Sequence, residues 1–167
     1  MLIVATQDPR VRAYCQLPES KASAWGAVLP IDAGLTQGDA QQQLIKYLNG
    51  LHAGENLCIL AHGNDEEIGD SAAGGKNWGW TYKSLARMLA TEVAVAPGIV
   101  LIQSCAERVD NFATRMVVRL EGSWQNIGHL AGVEVYGYST AVGTTQPIPQ
   151  PGQLSTNVQS QPVIINV

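Results

Sequence analysis

The sequence predicts a single α/β domain: a three-layer sandwich with a mainly parallel sheet of about six strands and helices on both faces. Short apolar runs that suit buried strands alternate along the chain with longer segments whose apolar residues recur at helical spacing. Parallel strands need crossover connections, and the helical segments supply them. A chain of 167 residues with 46% hydrophobic and 14% charged residues is a globular chain, and its length suits one domain spanning 1–167.

Six apolar segments are the predicted strands. They cover 2–5, 25–31, 57–61, 99–103, 133–138 and 162–167. Pro30 indicates an end or an edge position for the second strand, because proline cannot donate to a ladder of hydrogen bonds. The last strand is expected to dock at an edge of the sheet.

Three helices are predicted between these strands. The first covers 37–52 and follows Thr36, which with Asp39 resembles a capping box. The second begins after Thr81, and the third covers about 106–121 and stops at Gly122. The remaining stretches are expected to be loops: a weakly patterned one over 10–24, a polar glycine-rich one over 63–79, and an exposed one over 144–161.

Composition excludes several classes of partner. The net charge is −4, and the sequence contains no Lys/Arg cluster, which argues against nucleic acid and against an anionic membrane surface. No apolar run approaches the roughly 20 residues that a membrane span needs, and Met1 is not followed by a signal-peptide pattern. We therefore expect a cytoplasmic protein. Its oligomeric state stays open.

The three cysteines are Cys15, Cys58 and Cys105. Their odd number and their spacing indicate neither a disulfide framework nor a metal site, and no phosphate-binding loop is present. We expect no metal and no cofactor.

Two of the predicted strands end on residues that carry chemistry. The run 57–61 leads into His62-Gly63, and the run 99–103 leads into Ser104-Cys105, where a helical pattern follows. Sites in open α/β sheets form at the carboxyl ends of the strands, so His62 and Cys105 are expected to meet there. A neighbouring histidine and a helix N-terminus both favour the thiolate form of a cysteine, which is the attacking species.

This order of elements, with His-Gly after one strand and Gln103-Ser104-Cys105-Ala106-Glu107 after the next, resembles the caspase-like cysteine peptidases. That superfamily includes caspases, metacaspases, clostripain, gingipains, legumain and separase. The caspase signature is Gln-Ala-Cys-[Arg/Gln/Gly]-Gly, with a histidine about 50 residues upstream. Here Ser104 stands between the Gln and the Cys, and the Ala106-Glu107 pair departs from the signature. The resemblance covers about residues 2–143.

The resemblance implies a caspase-like fold and a Cys/His dyad that hydrolyses peptide bonds through a thioester intermediate. Cys105 is then the nucleophile and His62 the general acid and base, and the backbone amides of Gly63 and Cys105 form the oxyanion hole. Substrate-binding roles fall on the residues around this dyad: Gln103, Glu107, Asp65, Ser139 and Thr140. The substrate is a protein or peptide.

The acidic residues after His62 bear on the choice of substrate. The glycine-rich segment contains four acidic residues: Asp65, Glu66, Glu67 and Asp70. Clostripain-like relatives recognise a Lys or Arg of the substrate with acidic groups. The sequence therefore leans towards cleavage after a basic residue, although such a cluster is more often simply a solvated loop.

Two other functions remain open. A catalytically silent caspase-like domain could act as a protein-binding or assembly module. An unrelated α/β binding domain could use Cys105 as a small core residue, as buried cysteines often are. The presence of both His62 and Cys105 disfavours the silent domain.

Overall fold

The computed structural model describes residues 1–70, 78–104, 111–123, 127–143, 146–154 and 163–166. Within these ranges no helix is both long enough and apolar enough to cross a membrane.

A six-stranded sheet forms the centre of the molecule. Its strands are β1 (Leu2–Val4), β2 (Val28–Pro30), β3 (Leu57–Leu60), β7 (Ile99–Gln103), β8 (Glu134–Tyr136) and β9 (Val163–Ile164). They lie in the order β2-β1-β3-β7-β8-β9, and all neighbours are parallel except β8 and β9. The mixed α/β architecture and the mainly parallel sheet are confirmed. Pro30 lies on an edge strand, as predicted, and β9 docks antiparallel at the opposite edge.

Successive side chains of each strand belong alternately to two separate hydrophobic cores, one on each face of the sheet. In β3, Leu57 and Ile59 join the larger core, whereas Cys58 joins the smaller core on the other face. The neighbouring strands repeat this alternation, with Ile3 and Ile102 on the larger side. Because the strands are covered on both faces, they read in the sequence as unbroken apolar runs.

The three long helices cover one face only. They are α2 (Gln37–Asn49), α3 (Tyr82–Glu92) and α4 (Phe112–Ser123), and their buried apolar residues belong to the larger core. Thr36 caps α2 and Thr81 caps α3, each accepting a hydrogen bond from a backbone N–H three residues on. The predicted end of α2 at residue 52 was too far along the chain, because Gly50 already closes the helix.

The other face is covered by smaller pieces. The short helix α1 (Pro9–Tyr14) starts after Asp8, with Pro9 preset for its first turn. The segment 10–24 was predicted as loop; it contains this helix and two turns of 3₁₀ helix, at Pro18–Ser20 and Ala22–Trp25. Proline and serine in this segment obscure the helical pattern in the sequence.

The described part of the predicted exposed loop, 146–154, is exposed at five of its nine residues but also contributes to the core. Ile148 and Leu154 are 2% and 1% exposed and belong to the smaller core. The Ile148 N–H donates to the Ser20 carbonyl at 2.9 Å, and the Trp25 indole N–H donates to the Pro149 carbonyl at 3.0 Å. This segment covers the sheet face that the long helices leave open. The remainder of 144–161 lies outside the described residues.

A second, three-stranded antiparallel sheet includes parts of the predicted glycine-rich loop. It consists of β4 (His62–Gly63), β5 (Glu67–Gly69) and β6 (Gly79–Thr81). Ile68, Trp78 and Trp80 are each 1% exposed and join the larger core. The strands are too short to give a visible alternation of apolar and polar residues in the sequence. Only the glycines and acidic residues stood out there, and they predicted a loop. Residues 71–77 lie outside the described residues.

The order of the strands creates a point where the chain reverses its direction of winding. From β1 the chain runs through α1 to β2, which lies on one side of β1. From β2 it runs through α2 to β3, which lies on the other side of β1. Ligands of open α/β sheets bind at the carboxyl ends of the strands beside such a switch point. Here the switch point lies between β1 and β3.

Candidate functional site

Asp8 and His62 meet at the switch point. Asp8 follows β1 and caps α1, and His62 follows β3 by two residues and begins β4. His62 Nε2 lies 2.8 Å from Asp8 Oδ2, and the two side chains are only 12% and 10% exposed. The parallel pairing of β1 with β3 brings these two ends together.

The carboxylate sets the chemistry of the imidazole. An ionised carboxylate can only accept, so His62 Nε2 carries the hydrogen of this bond and donates it. In the neutral ring Nδ1 then holds the lone pair, which is the form that a general base needs. Asp8 therefore fixes both the tautomer and the orientation of His62.

The environment keeps Asp8 ionised. Burial by itself would raise the pKa of this carboxyl, but hydrogen bonds from His62 and from the Arg10 backbone N–H outweigh burial. The result is a pKa lowered from 3.8 to about 2. The guanidinium of Arg10 contributes further, with a nitrogen 3.4 Å from Asp8 Oδ2.

The turn that presents Asp8 is held by a buried carboxylate from the second sheet. Asp70, at the end of β5, accepts from the Thr6 hydroxyl at 2.5 Å and from the Gln7 backbone N–H at 2.7 Å, both through Oδ1. The Thr6 hydroxyl oxygen in turn accepts from the Asp8 N–H at 3.2 Å. Thr6 is fully buried and Asp70 is 4% exposed, so this chain of hydrogen bonds is shielded from water.

A pocket opens beside His62. Its empty volume, including the open mouth, is about 390 Å³. The described residues lining it come from α1, the ends of β3 and β7, and the segments after β8: Val11, Tyr14, Leu60, Ala61, His62, Gln103, Ser104, Val142, Gly143, Gln146 and Ile148. Ser104 is the residue that immediately precedes Cys105 in the chain.

Gln103 lies in this pocket in a fixed orientation. It is 3% exposed, and its side-chain oxygen accepts a hydrogen bond from the Tyr138 hydroxyl at 2.7 Å. Burial raises the pKa of Tyr138, so the phenol stays protonated and continues to donate. The amide group of Gln103 therefore has its NH₂ side available to face a ligand.

Gly63 is required by close packing. A Cβ at this position would lie 2.9 Å from a methyl group of Ile68 and 3.1 Å from Cβ of Ser104.

Asn64 and Glu67 form a hydrogen-bonded pair at the tip of the hairpin, with the Asn64 N–H donating to the Glu67 carbonyl at 3.0 Å. Bonded and non-bonded pairs alternate in an antiparallel ladder, so Gly63 opposite Ile68 points its N–H away from β5.

The other predicted site residues are distributed differently. Cys105 and Glu107 lie outside the described residues. Ser139 and Thr140 do not line the pocket among the described residues, although the segment that follows them does. Asp65 is 6% exposed and is likewise not among the described lining residues.

The predicted acidic cluster does not converge on this pocket. Glu66 forms an ion pair with Arg115, and Asp70 binds the turn before Asp8. Asp65 and Asp70 are buried, so the expectation of a solvated acidic loop is wrong for these two residues. Each short strand of the hairpin directs successive side chains to opposite faces, which separates neighbours in sequence.

The low pKa of Asp8 predicts acid sensitivity. A carboxyl whose pKa falls from 3.8 to about 2 on folding stabilises the fold fully above about pH 4, and this contribution disappears as the pH falls towards 2. The free energy of unfolding of the native protein should therefore exceed that of Asp8→Asn by more at about pH 5 than at about pH 2.5. Urea unfolding at the two pH values measures this difference; a pH-independent difference would contradict it.

Comparison with known proteins identified no relative of this chain. Family models, curated proteins and solved structures were all compared with this chain, and none of them matches it. Among the described residues, no group of three His, Cys, Asp or Glu side chains is placed to hold a metal ion.

Proposed function

We propose that this protein is a cysteine endopeptidase with Cys105 as nucleophile, His62 as general acid and base, and Asp8 as the residue that orients His62. One observation carries the proposal. The Asp8–His62 pair lies at the switch point of the sheet, and His62 lines the same pocket as Ser104, the residue that precedes Cys105. A base held by a third group beside a nucleophile is the arrangement that covalent catalysis needs.

The proposed reaction proceeds in two stages. The Cys105 thiolate attacks the peptide carbonyl carbon, and the protonated His62 gives its Nδ1 proton to the departing amine, so that the C–N bond breaks and a thioester remains. Water then loses a proton to Nδ1 and attacks the thioester, so that the C–S bond breaks and the thiolate–imidazolium pair is restored. The released carboxylic acid loses its proton to solvent. Asp8 stabilises the imidazolium that is present before the first of these proton transfers and again after the second.

The oxyanion hole of this proposal consists of the backbone amides of Gly63 and Cys105. The Gly63 N–H points away from β5 and so makes no hydrogen bond in the β4–β5 ladder, which supports this role. The close approach of Gly63 to Ser104 supports it as well, since no larger residue could sit so near the end of β7.

The other two cysteines are poor nucleophiles. Burial raises the pKa of Cys15 to about 11 and raises the pKa of Cys58 well above its ordinary value. Both are buried in the smaller core. A thiolate in this protein at neutral pH therefore has to come from Cys105, which suits a reducing compartment such as the cytoplasm.

Alkylation tests the nucleophile without any knowledge of the substrate. One equivalent of iodoacetamide at neutral pH is expected to modify Cys105 and to spare Cys15 and Cys58, as peptide mapping by mass spectrometry would show. His62→Ala should slow the modification at least about tenfold, because the neighbouring imidazole no longer favours the thiolate. Equal modification rates in the native protein and in His62→Ala would contradict the dyad.

Turnover tests the reaction itself. A library of peptides digested with the native protein should give cleavage products, and Cys105→Ala should give none. Cleavage that survives in Cys105→Ala would overturn the assignment of the nucleophile. Binding of peptides with no cleavage by the native protein would instead favour the silent, protein-binding domain.

A further inference from the structure

The pocket beside His62 has an uncharged, largely apolar wall. Apart from His62 itself, most of the lining side chains are apolar or aromatic, and the remainder are neutral polar groups. The first group includes Val11, Tyr14, Leu60, Val142 and Ile148, and the second includes Gln103 and Gln146. Among the described residues that line it, none is Asp, Glu, Lys or Arg. The wall offers a substrate side chain apolar contact without a partner for a charge.

The nearby acids whose contacts are described are engaged elsewhere. Glu66 pairs with Arg115, and Asp70 accepts hydrogen bonds from the turn before Asp8. The Asp8 carboxylate, which contacts His62, also accepts from the Arg10 backbone and guanidinium. A lysine or arginine entering the pocket would thus lose its hydration without gaining an ion pair from these groups, which is unfavourable.

We infer that this pocket binds an uncharged apolar side chain, such as leucine or methionine, of the residue that provides the scissile carbonyl. The inference rests on the proposed peptidase function and differs from the preference for basic residues that the acidic segment suggested. The location supports this choice of residue. The pocket contains both His62 and Ser104, so the carbonyl lies at its edge and the adjoining side chain enters it.

The size of the expected preference follows from the chemistry of such pockets. A single methylene group in an apolar pocket changes kcat/KM by about 10- to 200-fold. Replacing a leucine by a lysine removes apolar contacts and adds an unpaired charge. Peptides with Leu or Met before the cleaved bond should therefore have kcat/KM at least about tenfold above peptides with Lys, Arg or Asp there.

A pair of isosteric variants isolates the effect of charge. Val142 is partly buried in the wall, so Val142→Asp places a carboxylate there, whereas Val142→Asn places a neutral group of the same shape. The ratio of kcat/KM for the Lys peptide to that for the Leu peptide should rise about tenfold or more in Val142→Asp relative to Val142→Asn. Equal ratios in the two variants, or native cleavage preferring Lys, Arg or Asp, would overturn the inference while leaving the peptidase proposal intact.

Binding provides a readout that does not depend on turnover. Short acetylated peptide amides that end in Leu or in Lys are titrated calorimetrically into the native protein and into both Val142 variants. The Leu peptide should bind the native protein at least about tenfold more tightly, and only Val142→Asp should narrow this gap. Equal affinities in the native protein would contradict the pocket assignment even if no peptide is cleaved, whereas a Leu preference without cleavage would contradict only the peptidase proposal.

Discussion

Replacing Asp8 by asparagine is expected to lower kcat/KM for peptide hydrolysis by about 10²- to 10⁴-fold, the range of a general acid–base contribution. The amide keeps the shape of the carboxylate and still caps α1, because Asn and Asp are equally good N-cap residues. With its oxygen capping α1, asparagine presents an NH₂ donor to Nε2 in place of Oδ2. It cannot accept that hydrogen bond, and it carries no charge to stabilise an imidazolium. The loss should therefore appear in kcat more than in KM.

The tautomer of His62 gives an independent readout of the same change. Nitrogen chemical shifts of the imidazole should show a hydrogen on Nε2 in the native protein and a mixture of tautomers in Asp8→Asn. Asp39→Asn is the matched control, because Asp39 is exposed on α2 and its side-chain oxygen accepts from Thr36. Unchanged tautomers in Asp8→Asn would contradict an orienting role for Asp8.

Asp70→Ala is expected to destabilise the fold by about 2–6 kcal/mol, since it leaves the Thr6 hydroxyl and the Gln7 N–H without their acceptor at roughly 1–3 kcal/mol each. Asp70→Asn should cost less, because its side-chain oxygen can still accept both hydrogen bonds. Denaturant unfolding of the two variants measures the difference. Asp32→Ala is the control: this exposed carboxylate also accepts from a backbone N–H, that of Gly34. An equal loss of stability in Asp70→Ala and Asp32→Ala would contradict the importance of burial at Asp70.

Asp70 should also affect catalysis through the turn that presents Asp8. Thr6 connects the two residues, so Thr6→Val is expected to lower kcat/KM in the same direction as Asp70→Ala. The two effects should be less than additive in the double variant, because both changes break the same chain of hydrogen bonds. Full additivity would show that Thr6 and Asp70 act separately.

The strands of the central sheet were the most predictable part of the fold. Buried parallel strands are covered on both faces, and so their apolar runs are visible in the sequence at β1, β3 and β7. The capping residues Thr36 and Thr81 can be recognised in the sequence as easily, because a side-chain oxygen three residues before a free N–H is a local signal. The short strands around Ile68 and Trp80 give no such signal, since a strand of three residues has no measurable period.

The face covered by α1 and by 146–154 was not predicted, for a different reason. Proline and glutamine at 146–153 are typical of a loop, and only the docking of Ile148 and Leu154 into the smaller core makes this segment part of the wall. Which residues become buried in an irregular segment depends on the surface opposite it, and that surface is formed by strands distant in sequence.

The sequence by itself determined the position of His62, because this residue directly follows a buried strand, where a parallel sheet presents its ligands. Asp8 follows β1 in the same way, but an Asp-Pro pair is also typical of an ordinary turn, and the sequence does not show that β1 lies next to β3. The order β2-β1-β3 was decided only by the tertiary structure, through which crossovers pack against which face of the sheet. That order brings a carboxylate from the start of the chain within 2.8 Å of the histidine, and so completes the pair on which the proposed chemistry depends.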